Sequence, residues 1–171
     1  MTAHTVSADA PIGVFDSGVG GLSVLRHIRA QLPHEDLIYF ADSGFAPYGN
    51  KPEQVVAERS LAVAGFLVEH GAKALVVACN TASATSLPAL RERFPQLPVI
   101  GVIDPGARAA CDTSASGRIA VLATEGTVQG GAYERAIHAA RRGGVPHRGV
   151  VEGGRRGARK DRRFVRRRQG G

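Results

Sequence analysis

The segment Ile12-Gly-Val-Phe-Asp-Ser-Gly-Val-Gly-Gly21, running on into Leu22, Leu25, Ile28 and Leu32, carries the plan of the fold. A short apolar run gives way to small polar residues, and these to apolar side chains at helical spacing. The same unit recurs along the chain. Ile12–Phe15, Leu37–Ala41, Ala74–Ala78, Val99–Ile103 and Ile119–Ala123 read as strands, near-continuously apolar as strands buried on both faces are. Between them Pro52 opens a helix that presents Val55, Val56, Val63, Phe66 and Leu67 before Gly71 ends it. A third helix runs through Leu87 and Leu90, and a fourth follows Thr127 with Tyr133 and Ile137. Strands alternating with helices predict an α/β fold: a doubly wound, mostly parallel sheet, with an incomplete second α/β domain. The expected organisation is a frayed N-terminus over 1–10, a first domain over 11–97, the start of a second over 98–140, and a tail over 141–171.

The tail differs in kind from what precedes it. Residues 1–140 hold 10 Lys+Arg against 13 Asp+Glu, a balance of −3; residues 141–171 hold 12 against 2, a balance of +10. The net charge of +7 therefore describes the tail and not the domain. With 11 Arg, 8 Gly and scattered apolar residues, the tail is expected to be disordered. It reads either as the out-of-frame translation of a GC-rich gene or as a genuine basic extension. Any nucleic-acid binding would be confined to it, electrostatic and non-specific, because no aromatic residues interleave its arginines. No apolar run approaches the roughly 18 residues of a membrane span, and no signal peptide opens the chain. A cytoplasmic protein without membrane association is expected. Its two cysteines, Cys79 and Cys111, make neither a disulfide framework nor a zinc site.

Ligands of open α/β sheets bind beyond the carboxyl ends of the strands. Those ends carry Asp16-Ser-Gly-Val-Gly-Gly21, Asp42-Ser-Gly44 with Pro47-Tyr-Gly49, Cys79-Asn-Thr-Ala-Ser83 and Thr124-Glu-Gly-Thr127. The glycine-rich loop lacks the Lys-Ser/Thr of a phosphate loop and the spacing of a dinucleotide fingerprint, so alone it is a tight turn. Asp16 and Asp42 each have the ordinary reading of a helix cap, which is favoured for Asp42. Cys79 is either an inert core thiol or a functional thiolate. Its place between an apolar strand and the helix start at Asn80-Thr81 favours the second, because a helix N-terminus supplies amide donors and a field that lowers a thiol pKa. No histidine follows a strand, so the thiolate suits a general base acting on a carbon acid better than a nucleophile with a histidine partner. Cys111 is read as structural. Lys51 and Lys73, the two lysines before the tail, occupy no cofactor-like position, and neither a metal nor an organic cofactor is expected.

Taken together, Gly13–Val24, Tyr39-Phe-Ala-Asp-Ser43, Pro47-Tyr-Gly49, Ala78-Cys-Asn-Thr-Ala-Ser83 and Ala123-Thr-Glu-Gly-Thr-Val128 resemble the glutamate racemases of bacterial cell-wall synthesis, over Pro11 to about Ala140. The resemblance implies an isomerase that interconverts L- and D-glutamate by two bases, without a cofactor, supplying D-glutamate for peptidoglycan. It implies Cys79 and Asp16 as catalytic residues. Asp16, Ser17, Tyr48, Gly49, Asn80, Thr81, Thr124 and Thr127 are implied as substrate-binding. The family's second cysteine lies in a Cys-Thr-His motif that this sequence does not contain; Asp112 and Thr113 follow Cys111. Three alternatives stay open: an impaired racemase, a non-catalytic glutamate-binding or basic-tail protein, and a related aspartate racemase. Pairing into a homodimer is also left open.

Overall fold

The computed structural model describes residues 7–142 and the backbone of 151–155. In chain order it runs β1 (Ile12–Asp16), α1 (Leu22–Gln31), β2 (Leu37–Ala41), α2 (Glu53–Glu69), β3 (Ala74–Val77), α3 (Asn80–Thr85), α4 (Leu87–Arg93), β4 (Val99–Gly101), α5 (Ile103–Thr113), β5 (Ile119–Ala123), α6 (Glu125–Gln129), α7 (Ala132–Arg142) and β6 (Val151–Arg155). Two short 3-10 turns, Ser43–Phe45 and Tyr48–Asn50, lie between β2 and α2. Four strands form one parallel sheet in the order β2-β1-β3-β4. β5 and β6 form a second parallel pair.

The period-two alternation of a strand splits the core into two layers. Ile12, Val14, Val76 and Ala78 face Val24, Leu25 and Ile28 of α1. Phe15, Leu75 and Val77 face the other way, against Val56, Val63, Ala64 and Leu67 of α2 and Leu87 and Leu90 of α4. Gly13 belongs to this second face, where a β-carbon would stand 3.1 Å from both Ala72 and Leu67, so α2 packs directly on β1. A sheet with helices on both faces is the doubly wound arrangement that the alternation predicts. A third cluster joins Ile103 and Ala107 of α5 to Ala136 and Ile137 of α7, over Ile119 and Val121 of β5.

Three differences from the expected elements have physical causes. The fourth strand stops at Gly101 and Ile103 already begins α5, a helix that apolar periodicity does not announce. Its first turn holds Pro105 and Gly106, and proline needs no N–H bond in a first turn. The boundary expected after 97 falls inside a sheet, because β4 pairs with β3 from Leu75 opposite Val99 to Val77 opposite Gly101. The second sheet starts at β5. At the ends, Ser7–Ala10 forms a turn closed by the Ala10 N–H on the Ser7 carbonyl. Of the tail expected to be disordered, Arg141 and Arg142 complete α7 and Val151–Arg155 pairs with Ile119–Ala123. Ladder bonds are made by the backbone, so Gly153 and Gly154 can take part without a side-chain signal. The rest of the tail lies outside the described residues.

Leu75 is fully buried at the centre of the sheet, whereas Leu122 on β5 is 78% exposed. Leu75→Ala should cost ~2–5 kcal/mol of stability, while Leu122→Ser should change it by less than ~0.5 kcal/mol. Urea midpoints of the two variants check this.

Candidate functional site

β1 is paired on one side with β2 and on the other with β3, and the chain leaves β1 and β3 toward opposite layers. That is the switch point at which a doubly wound sheet opens a crevice, and Asp16-Ser17 and Cys79-Asn80 are the residues that emerge there. Main-chain bonds carry the register past the strand ends: Ala78 N–H donates to the Phe15 carbonyl at 2.8 Å, and Asp42 N–H to the Asp16 carbonyl at 2.9 Å.

Cys79 is 5% exposed and stands at the residue that enters α3, with φ −85° and ψ 124°. Its thiol donates to Ser17 Oγ at 3.5 Å. Beside it Asp16 is buried, and its Oδ2 accepts the Gly21 N–H at 2.9 Å, holding the glycine-rich loop at the entry to α1. Gly21 has no room for a side chain: a β-carbon would come within 2.7 Å of Asp16 Cβ and 2.9 Å of Ala78 Cβ. Tyr39, on β2, donates its hydroxyl to the Gly18 carbonyl at 3.0 Å and ties the middle of the same loop. Its pKa is raised by burial first and then by electrostatic interaction with Asp16 and Cys79, so the phenol stays a neutral donor.

A second group sits across from the first. Thr81 Oγ1 lies 3.2 Å from Thr124 Oγ1, which lies 3.0 Å from Thr127 Oγ1, giving three hydroxyls in a row from α3 to α6. Gly49 is pressed on this row; a β-carbon there would stand 2.6 Å from Thr124 Cβ. The Tyr48 side chain does not reach into the crevice as a free hydroxyl. It is 1% exposed and donates to Asp42 Oδ2 at 2.6 Å. Burial first, then the hydrogen bond and charge of Asp42, push its pKa far up. Asn80 is exposed, and its Oδ1 accepts the Tyr133 hydroxyl at 2.7 Å. A cleft of about 390 Å³ between α5, α7 and β5 reaches Asn80, Thr81 and Thr124 but is not lined by Cys79 or Asp16.

The residues expected at the site thus fall into two sets, Asp16-Ser17-Cys79 and Gly49-Thr81-Thr124-Thr127, with Asn80 turned to α7. Asp42 corrects the expectation of a helix cap. It precedes the 3-10 turn Ser43–Phe45 but makes no side-chain cap bond. Instead Arg59 of α2 grips its carboxylate, Nη2 at 2.7 Å from Oδ1 and Nε at 3.1 Å from Oδ2. Arg59 and Tyr133 carry no sequence signal of a place at the site, and Tyr39 lies in a family-like motif but is not singled out by it; each contacts the site across 17 or more residues. Cys111 lies in α5, its thiol 3.9 Å from the Ile137 carbonyl of α7.

The model of the Asp/Glu/Hydantoin racemase family matches residues 12–162. This chain belongs to that family. The match extends past the change of composition at 140. Glutamate racemases of Stutzerimonas stutzeri and Methylococcus capsulatus are 57% and 59% identical to it over 120 and 119 residues, in each case 70% of this chain but 45% and 43% of theirs. The chain therefore spans less than half the length of these curated relatives. Among solved structures, a glutamate racemase of Bacillus anthracis superposes with a TM-score of 0.78 at 42% identity, covering 86% of this chain and 54% of that one. The Francisella tularensis glutamate racemase, solved in complex with D-glutamate, gives 0.72 at 32% identity over 85% and 53%. Among the described residues of this family member, no helix is long and apolar enough to cross a membrane.

Burial alone would raise the Asp42 pKa, but the Arg59 and Tyr48 hydrogen bonds and the Arg59 charge outweigh it and hold the carboxyl below its usual 3.8. A carboxyl depressed in the folded state stabilises the protein above its unfolded pKa and loses that contribution as pH falls through the folded one. Stability of the native chain should therefore fall as pH drops below about 4. Asp42→Asn should be less stable at pH 7 by ~1–3 kcal/mol and show a flatter acid limb. Thermal midpoints between pH 2.5 and 7 check both.

Proposed function

We propose that the chain binds glutamate in the crevice at the carboxyl ends of β1 and β3, and that Cys79 exchanges a proton with its α-carbon. This is one face of the glutamate racemase reaction, placed in the cytoplasm, where D-glutamate is used for peptidoglycan. The observation that carries the proposal is the Cys79 thiol, buried at the switch point 3.5 Å from Ser17 Oγ, beside the Asp16 carboxylate. The names and the identity of the relatives support it.

The chemistry follows from the groups present. The α-hydrogen of an amino acid is very weakly acidic, so its removal needs a base in contact and donors for the charge that develops. In the thiolate form, Cys79 takes the proton while the C–H electron pair stays on the substrate and spreads into the α-carboxylate. Hydroxyls of Ser17, Thr81 and Thr124 and the backbone around Gly49 are the donors that can hold the two carboxylates, with the buried Thr127 holding Thr124 from behind. Asp16, fixed by the Gly21 amide, is placed to assist proton transfer at the thiol. The proton on Cys79 then exchanges with water and returns to the same face, which labels the α-carbon without inverting it. Inversion needs a second acid on the opposite face. Cys111, packed under α7, is not positioned to supply it.

In deuterated water the purified chain should incorporate label at the α-carbon of one glutamate enantiomer, read by proton NMR, with little interconversion. Cys79→Ser should lower that rate by at least ~100-fold. Label entering aspartate faster than glutamate would move the chain to the aspartate branch of the family. A folded sample that labels neither amino acid would refute the proposal.

A further inference from the structure

Between β2 and α2 the chain makes a compact excursion, Asp42 to Lys51, held by one buried carboxylate. Asp42 is 4% exposed, yet its two oxygens serve three donors: Arg59 Nη2 at 2.7 Å, Arg59 Nε at 3.1 Å and the Tyr48 hydroxyl at 2.6 Å. The Arg59 guanidinium also lies over the Phe45 ring, 3.7 Å from its centroid, so the excursion is gripped at both of its 3-10 turns. One end of this clasp is anchored in the sheet, through the Asp42 N–H on the Asp16 carbonyl at 2.9 Å. The other end is Gly49, one residue after the pinned phenol and packed on Thr124 too closely for any β-carbon. Thr124 in turn is the middle of the row of hydroxyls, between Thr81 and Thr127.

We propose that Asp42 and Arg59 are positioning residues for the amino-acid substrate: their clasp on Tyr48 sets the height of Gly49 against Thr124 and so the width of the crevice opposite Cys79. The inference rests on the reading of this crevice as the glutamate site. Neither residue needs to touch substrate. The Tyr48 phenol, spent on Asp42, anchors the loop, and what the loop offers a ligand is the backbone around Gly49. A two-pronged guanidinium suits this task because its planar fork fixes the carboxylate's orientation as well as its place, which an ammonium does not do.

Titration calorimetry of the full-length chain with L- and D-glutamate tests the proposal, with amide exchange of β1 and β3 verifying the fold. Arg59→Lys keeps a positive charge near Asp42 but loses the fork, and should weaken glutamate binding about tenfold. Tyr48→Phe should do the same, and the double variant should be hardly worse than either, since both release one loop. Leu75→Ala, which weakens the core without touching the clasp, should leave the dissociation constant of the folded protein unchanged. Amide protection over 45–51 should fall in Arg59→Lys and not in Leu75→Ala. The proposal is overturned if folded Arg59→Lys binds glutamate as the parent does, if the two losses add fully, or if Leu75→Ala weakens binding equally. A folded parent chain that binds neither enantiomer overturns the functional reading itself, and leaves the clasp a structural device.

Discussion

The parallel pairing of β1 with both β2 and β3 is the constraint from which the site follows. A strand with parallel neighbours on each side brings three carboxyl ends to one edge, and the bonds from Ala78 to Phe15 and from Asp42 to Asp16 extend that alignment beyond the strands. The helices after β1 and β3 then leave toward opposite faces, because the alternation of Val14 and Val76 against Phe15 and Val77 fills a core on each side. A gap at the parting is unavoidable, and no further folding device is needed to open it. A slip of one residue in either pairing would exchange the two faces of β1 and bury the wrong set of side chains.

Three carboxylate and thiol groups emerge at that edge, and each is handled differently. Asp42 is matched by a guanidinium and a phenol, which makes it part of the framework. Asp16 receives a backbone amide, which orients it. Cys79 has only a hydroxyl for company at 3.5 Å. A group committed to strong partners cannot take or give a proton cheaply, which is why the proposed proton transfer is assigned to Cys79 and not to Asp42. Tyr39 completes the arrangement from β2: burial and electrostatic interaction with Asp16 and Cys79 help to keep its phenol protonated, and the protonated phenol keeps Gly18 in place.

Much of this was legible from local pattern, and the reasons for the exceptions are equally local. β1, β2, β3 and β5 announce themselves as apolar runs, and Cys79 by its position between one such run and Asn80-Thr81. Asp42 was not legible, since a carboxylate before a turn reads as a cap, and its partner Arg59 lies on the next helix with nothing to mark it. Tyr48 reads in the sequence as a substrate-binding residue and not as an anchor, because only the fold shows that its hydroxyl goes to Asp42. α5 was hidden by Pro105 and Gly106, and β4 was read too long because Ile103 continues its apolar run into a helix. β6 pairs through its backbone and gives no side-chain pattern to find. For Asp42, Tyr48 and β6 the missing information was a contact with another segment, and for β4 and α5 it was the local boundary between strand and helix.

The second sheet has a larger part in the crevice than its few strands suggest. Thr124 follows β5, yet its hydroxyl meets Thr81 of α3 and its side chain supports Gly49 from the loop after β2. Thr127, 1% exposed, fixes Thr124 from behind. α5 is joined to the first sheet at its start, where Ser83 Oγ donates to the Val77 carbonyl and accepts the Val102 N–H, and its Ile103 and Ala107 pack with Ile119 and Val121 of β5. Residues 119–129 therefore pack against the loops that follow β2 and β3. β1 and β3 fix where the thiol stands, and β5 with α6 fixes how far the opposite wall is from it. A chain with the first sheet alone would keep Cys79 in place and lose the surface that Gly49 is fitted to.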